Sequence, residues 1–176
     1  MAYAGSRRTG NYRPGAQRIH QFSDSLARGH AAERTLDRAL SMRYQLSEAN
    51  AADQKRGIDR YGRDYLTGEV VTLEYKTDWR SGATGNVFVE LICSTGQLGW
   101  ARSCQADWLI LYLPHTRMAY AIKTPELRQR LQSWEALCQS RTVTTNGKYR
   151  KYSVDGLLVP VRELEKLAWE KFDVNG

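Results

Sequence analysis

The chain has 176 residues, 41% of them hydrophobic and 10% aromatic, which fits a single globular domain able to bury a sizeable core. No apolar run approaches the roughly 18 residues that span a bilayer, so no membrane partner is expected. The net charge of +7 favours an anionic partner such as nucleic acid, although a merely soluble basic protein fits that number equally well. Cys93, Cys104 and Cys138 match neither CxxC nor a zinc ribbon, and His20, His30 and His115 form no HxxxH pair, which argues against zinc. Reduced thiols are expected, and the opening MAYAGSRRTGNYRPG lacks the apolar stretch of a secretory signal, so a cytoplasmic location is expected.

Residues 1–22 read as a flexible basic arm, and 23–176 as one domain. Arg7, Arg8, Arg13 and Arg18 stand in the arm without an acid, among Gly, Pro, Tyr3 and Tyr12, a composition suited to phosphate contacts. Ser23 and Asp24 offer caps to a helix over 25–46, where Leu26, Ala32, Leu36, Ala39, Leu40 and Tyr44 form an apolar stripe. Glu33 falls inside that stripe. It either points inward toward a sheet or reaches solvent and pairs with a base such as Arg34. A loop over 47–54 then leads to a short strand ending at Asp59, and YGRDYLTG turns the chain back into a strand over 69–78.

On that second strand Glu74, Lys76 and Asp78 share one face, spaced roughly 6 to 7 Å apart, while Tyr75 and Thr77 take the other. An antiparallel return places Asp59 beside Glu74. Two carboxylates and an ammonium then converge, and a hard cation such as Mg²⁺ needs only one or two carboxylates plus a substrate phosphate. Such an ion polarises a phosphoryl oxygen and acidifies a bound water, which is what phosphodiester hydrolysis requires.

Downstream, a glycine-rich loop over 79–86 precedes a strand over 87–93, apolar on both faces and so expected inside the central sheet. Glu90 interrupts it and needs a partner, a metal or a route to solvent. Residues 100–105 suit a short helix or turn, and the apolar runs 108–113 and 118–122 form a hairpin. Thr124, Pro125 and Glu126 open a helix that runs to about 138, with Thr124 as its cap. Asn146-Gly147 centres a hairpin over 141–152, where Arg141, Lys148, Tyr149, Arg150, Lys151 and Tyr152 suit phosphate contact and base stacking, or else protect a sheet edge. An amphipathic helix over 161–172 follows. The expected architecture is an α/β sandwich of two or three layers with a mixed central sheet flanked by helices.

Asp59 followed by Glu74-Tyr75-Lys76 resembles the D…ExK signature of the PD-(D/E)XK nuclease superfamily, which has the restriction-endonuclease-like fold. Arg28 to Leu36 resembles the first helix of Holliday-junction-resolvase-like members, and 84–111 resembles phage-type members. The resemblance implies a DNA endonuclease dependent on Mg²⁺ or Mn²⁺. Asp59, Glu74 and the Tyr75 carbonyl would bind metal, Glu33 would add a further acid, and Lys76 would orient the attacking water. Asp78, Asn86 and Glu90 are candidates for supporting positions. Resolvase-like members usually act as dimers on branched DNA, so a homodimer fits this resemblance. Two alternatives remain open: a DNA-binding module without activity, and a protein whose basic surface docks on an acidic partner.

Overall fold

A computed structural model describes residues 22–146 and 151–174. Arg7, Arg8, Arg13, Arg18, Lys148, Tyr149 and Arg150 lie outside the described residues. In chain order the elements are α1 (Phe22–Leu40), β1 (Tyr44–Glu48), α2 (Ala51–Gln54), β2 (Arg60–Asp64), β3 (Val70–Thr77), α3 (Ser81–Thr84), β4 (Asn86–Cys93) and α4 (Trp100–Ser103). They continue with β5 (Trp108–Leu113), β6 (Met118–Lys123), α5 (Thr124–Leu137), β7 (Gln139–Asn146), β8 (Lys151–Pro160), α6 (Val161–Glu165) and β9 (Glu170–Asp173).

The main sheet has six strands in the order β1-β2-β3-β5-β6-β9, and only β3 and β5 run parallel within it. A second sheet of three strands, β4-β8-β7, is antiparallel throughout. β5 explains the layering. Leu109, Leu111 and Leu113 alternate with Ile110 and Tyr112, and all five are buried, so this strand is covered on both faces. One face packs under α1 through Ala32, Leu36 and Leu40 together with Leu73 and Tyr75 of β3. The other meets Val87, Val89, Leu157 and Val159 of the second sheet and Leu127, Leu131 and Trp134 of α5.

Four expectations from the sequence are corrected. The first helix stops at Leu40 rather than 46, and Tyr44–Glu48 instead forms an edge strand on β2, with Tyr44 opposite Asp64. The Tyr44 ring lies on Gly62, where an added Cβ would come within 3.2 Å of it, so the strand pairing depends on that glycine. The β2 strand itself begins at Arg60, immediately after Asp59, and runs through half of the expected turn. β4 belongs to the second sheet and not to the central one. The C-terminal helix ends at Glu165, and Phe172 pairs with Ala119 as part of a new edge strand.

The start of α5 differs in chemistry although not in place. Pro125 sits in the first turn as expected, but the Thr124 hydroxyl donates to the Ala106 carbonyl and does not cap the helix. That bond, with Thr124 N–H on Asp107 O at 3.1 Å, fixes the helix to the start of β5.

Candidate active site

The pairing of β2 with β3 sets the site. Arg60 stands opposite Leu73, so the preceding residue, Asp59, comes alongside Glu74. Asp59 N–H donates to the Leu73 carbonyl at 2.8 Å, and Asp59 Oδ2 accepts from the Tyr75 N–H at 2.7 Å. The carboxylate is thereby held against the middle of β3. Gly57 makes the approach feasible. Its φ of 73° suits glycine, and a Cβ there would sit 3.0 Å from the Cys104 Cα and 3.6 Å from Glu74 Oε2.

Glu74 and Lys76 point away from α1, toward the side where the second sheet packs. Glu74 is 4% exposed. Its Oε1 accepts from the Lys76 ammonium, while Oε2 is buried with no hydrogen-bond donor among the described residues. Burial pushes the Glu74 carboxyl up to about 7; Lys76 works against this shift, and the charge of the Asp59 carboxyl adds to it. Two ionised carboxylates repel at such range. A proton or a cation between Asp59 and Glu74 relieves them. Burial disfavours the Lys76 ammonium, but Glu74, Asp59 and Glu90 outweigh that and raise its pKa, so it stays charged.

The opposite face of β3 carries a separate network. Arg60 forks onto Asp37, with Nε on Oδ1 at 3.0 Å and Nη2 on Oδ2 at 3.1 Å, and its Nη1 donates to the Asp59 carbonyl at 3.0 Å. Its guanidinium also lies 5.5 Å from the Tyr75 ring centre. Glu33 joins here, with Oε2 3.3 Å from Arg60 Nη2. Its outcome combines the two readings of the sequence: it points toward the sheet, yet it meets a base there, Arg60 of β2, rather than the acids of the site. Sequence reasoning missed Arg60 and Asp37, although an arginine directly after the candidate metal acid was a legible hint.

Asp78 is spent on structure. Its Oδ1 accepts from the N–H groups of Arg80 and Ser81 at 2.7 and 2.8 Å, and Oδ2 from Phe88 N–H at 3.1 Å, which ties the end of β3 to β4. Asn86 donates to the Thr84 carbonyl at 2.8 Å and shapes the same turn. Glu90, by contrast, faces Lys76 across a cleft. Burial pushes its carboxyl up, and Lys76 partly offsets that. Lys151 is exposed at the start of β8, and Arg141 is exposed on β7.

No known protein family and no curated protein matches this sequence. Among solved structures, a bacterial homing endonuclease is similar with a TM-score of 0.45 and 18% identity, over 60% of this chain and 72% of that one.

The oxygen donors gathered here that could hold a hard cation are two adjacent carboxylates, Asp59 and Glu74, the latter with an orphaned buried oxygen. No group of three or more His, Cys, Asp or Glu suited to a metal gathers among the described residues.

Proposed function

We propose that the chain is a DNA endonuclease of the PD-(D/E)XK type that hydrolyses phosphodiester bonds with Mg²⁺ or Mn²⁺. The observation that carries this reading is the buried Glu74 carboxylate, with one oxygen on Lys76 and the other lacking a donor, set against Asp59. Asp59, Glu74 and the Tyr75 carbonyl would hold the cation, whose role is to polarise the phosphoryl oxygen and acidify a bound water. Lys76, whose ammonium here pairs with Glu74, would orient the attacking water and offset the charge growing on phosphorus during in-line attack. Arg60 keeps Asp59 in register from behind. The positive net charge, with Arg141 and Lys151 on the hairpin, draws the DNA backbone.

Plasmid nicking with Mn²⁺ and with Mg²⁺ tests this proposal. Wild type should nick, and Lys76→Ala and Glu74→Gln should each lose about a hundredfold or more in rate. Glu33→Gln should stay within a few-fold of wild type, because its partner Arg60 keeps Asp37. Equal nicking by wild type and Lys76→Ala would remove the lysine from the chemistry. A panel of linear duplex, single strand, fork and four-way junction then shows whether branched DNA is preferred.

A further inference from the structure

Beside Lys76 lies a cleft of about 260 Å³ between the end of β3, β4 and the start of α4, lined among others by Trp79, Arg80, Phe88, Glu90 and Trp100. It falls below the roughly 300–1,000 Å³ of pockets that take drug-sized ligands, so it suits a single planar ring system. Three of these five lining residues are aromatic. Trp79 is 51% exposed, an unusual state for so large an apolar ring and one that offers a free face for stacking.

Glu90 supplies the polar end. β4 pairs with β8 through Glu90 opposite Gly156 and then Ile92 opposite Asp155, leaving Leu91 as an extra residue. Such a bulge re-aims the neighbouring side chain. The Glu90 carboxylate is half-buried and has neither a hydrogen bond nor an ion pair among the described residues, although it faces Lys76. The other acid of the cleft, Asp78, has both oxygens occupied by backbone N–H groups. A carboxylate in a partly enclosed cleft without a protein donor is open to a ligand that brings an N–H group. A second metal ion is a poor occupant here, because Asp78 is already spent on backbone N–H groups and the Lys76 ammonium opposes another cation.

We propose that this cleft receives the nucleobase next to the cleaved phosphate, stacked on Trp79 and donating an exocyclic amino group to Glu90. Cytosine, whose N4 amino group is the usual donor to a glutamate, fits best. Thymine fits worst, since the two carbonyls flanking its N–H face the carboxylate. Arg80, at the same cleft, is placed for the adjoining phosphate. The identity of the ligand rests on the phosphodiesterase reading, but its test needs no cleavage.

In EDTA, a short thymidine tract with one central cytidine, an all-thymidine tract of equal length and free dCMP are titrated into the full chain. The readout is the Trp79 indole N–H resonance, assigned through Trp79→Phe. The cytidine tract should shift that resonance at about tenfold lower concentration than the all-thymidine tract, the factor expected of one hydrogen bond to a charged group. Glu90→Gln should bring the two tracts within about twofold of each other. A dCMP response confined to much higher concentration would mark the ligand as part of a strand, and an equal response would mark it as a free nucleotide. An unmoved Trp79 resonance, or a cytidine preference that survives in Glu90→Gln, would overturn the proposal. Nicking lost with this response retained would overturn the endonuclease reading instead.

Discussion

Glu74 titrates near 4.5 when exposed and is pushed up to about 7 in the folded chain, first by burial and further by Asp59. Between those values the folded state holds more protons than the unfolded one, so the stability present below 4.5 is lost as pH rises through about 7. Thermal unfolding in EDTA should therefore show a falling Tm from pH 5 to pH 8, and Glu74→Gln should flatten that fall. Added Mn²⁺ should raise the Tm of the wild type more at pH 8 than at pH 5, because the ion displaces a proton at the lower pH. A slope that persists in Glu74→Gln would belong to another group. At this scale the sequence was informative where residues are neighbours along one strand. Glu74 and Lys76 share a face by alternation alone, and Asp59 follows from one hairpin. Glu33 was not legible, since its helix position allowed both orientations and Arg60, its partner, lies 27 residues away.

Asp78 acts between elements. Its two oxygens accept three backbone N–H groups, two that open α3 and one on β4, so it joins β3 to the second sheet. Asp78→Ala leaves those donors unpaired and should destabilise the chain by about 2 to 3 kcal/mol, read by chemical denaturation. It should also reduce nicking more than Asp78→Asn, which keeps an acceptor. No loss of stability would mean that water replaces the carboxylate at no cost. The elements set by local signals were legible: the β5–β6 hairpin, the proline-led α5 and the strands around Asn146. The first helix was drawn too long because Tyr44 continues the apolar period of Leu36 and Leu40. Pairing of five residues with β2 overrides that periodicity. In the same way Leu164 and Leu167 suggested a helix that ends early, where Phe172 pairs with Ala119 instead.

Over the whole molecule the site sits where two sheets meet. The main sheet presents Glu74 and Lys76, and the second sheet brings Glu90 opposite them. β4 carries apolar residues on both faces, which fits an inner strand of any sheet, so its partner β8, more than 60 residues on, could not be read from the pattern. The acid that faces Lys76 from the second sheet was therefore visible as an anomaly in β4 but without a position. In the proposed function Asp59 and Glu74 form one seat for a divalent ion beside an ammonium that does not itself bind it. Calorimetric titration of Mn²⁺ into the metal-free full chain at pH 8 measures this directly. One site per chain is expected, weakened at least about tenfold in Asp59→Asn and in Glu74→Gln, and held as tightly or more tightly in Lys76→Ala. A wild-type chain that takes up no Mn²⁺, or a Glu74→Gln variant that binds it equally well, would contradict the account.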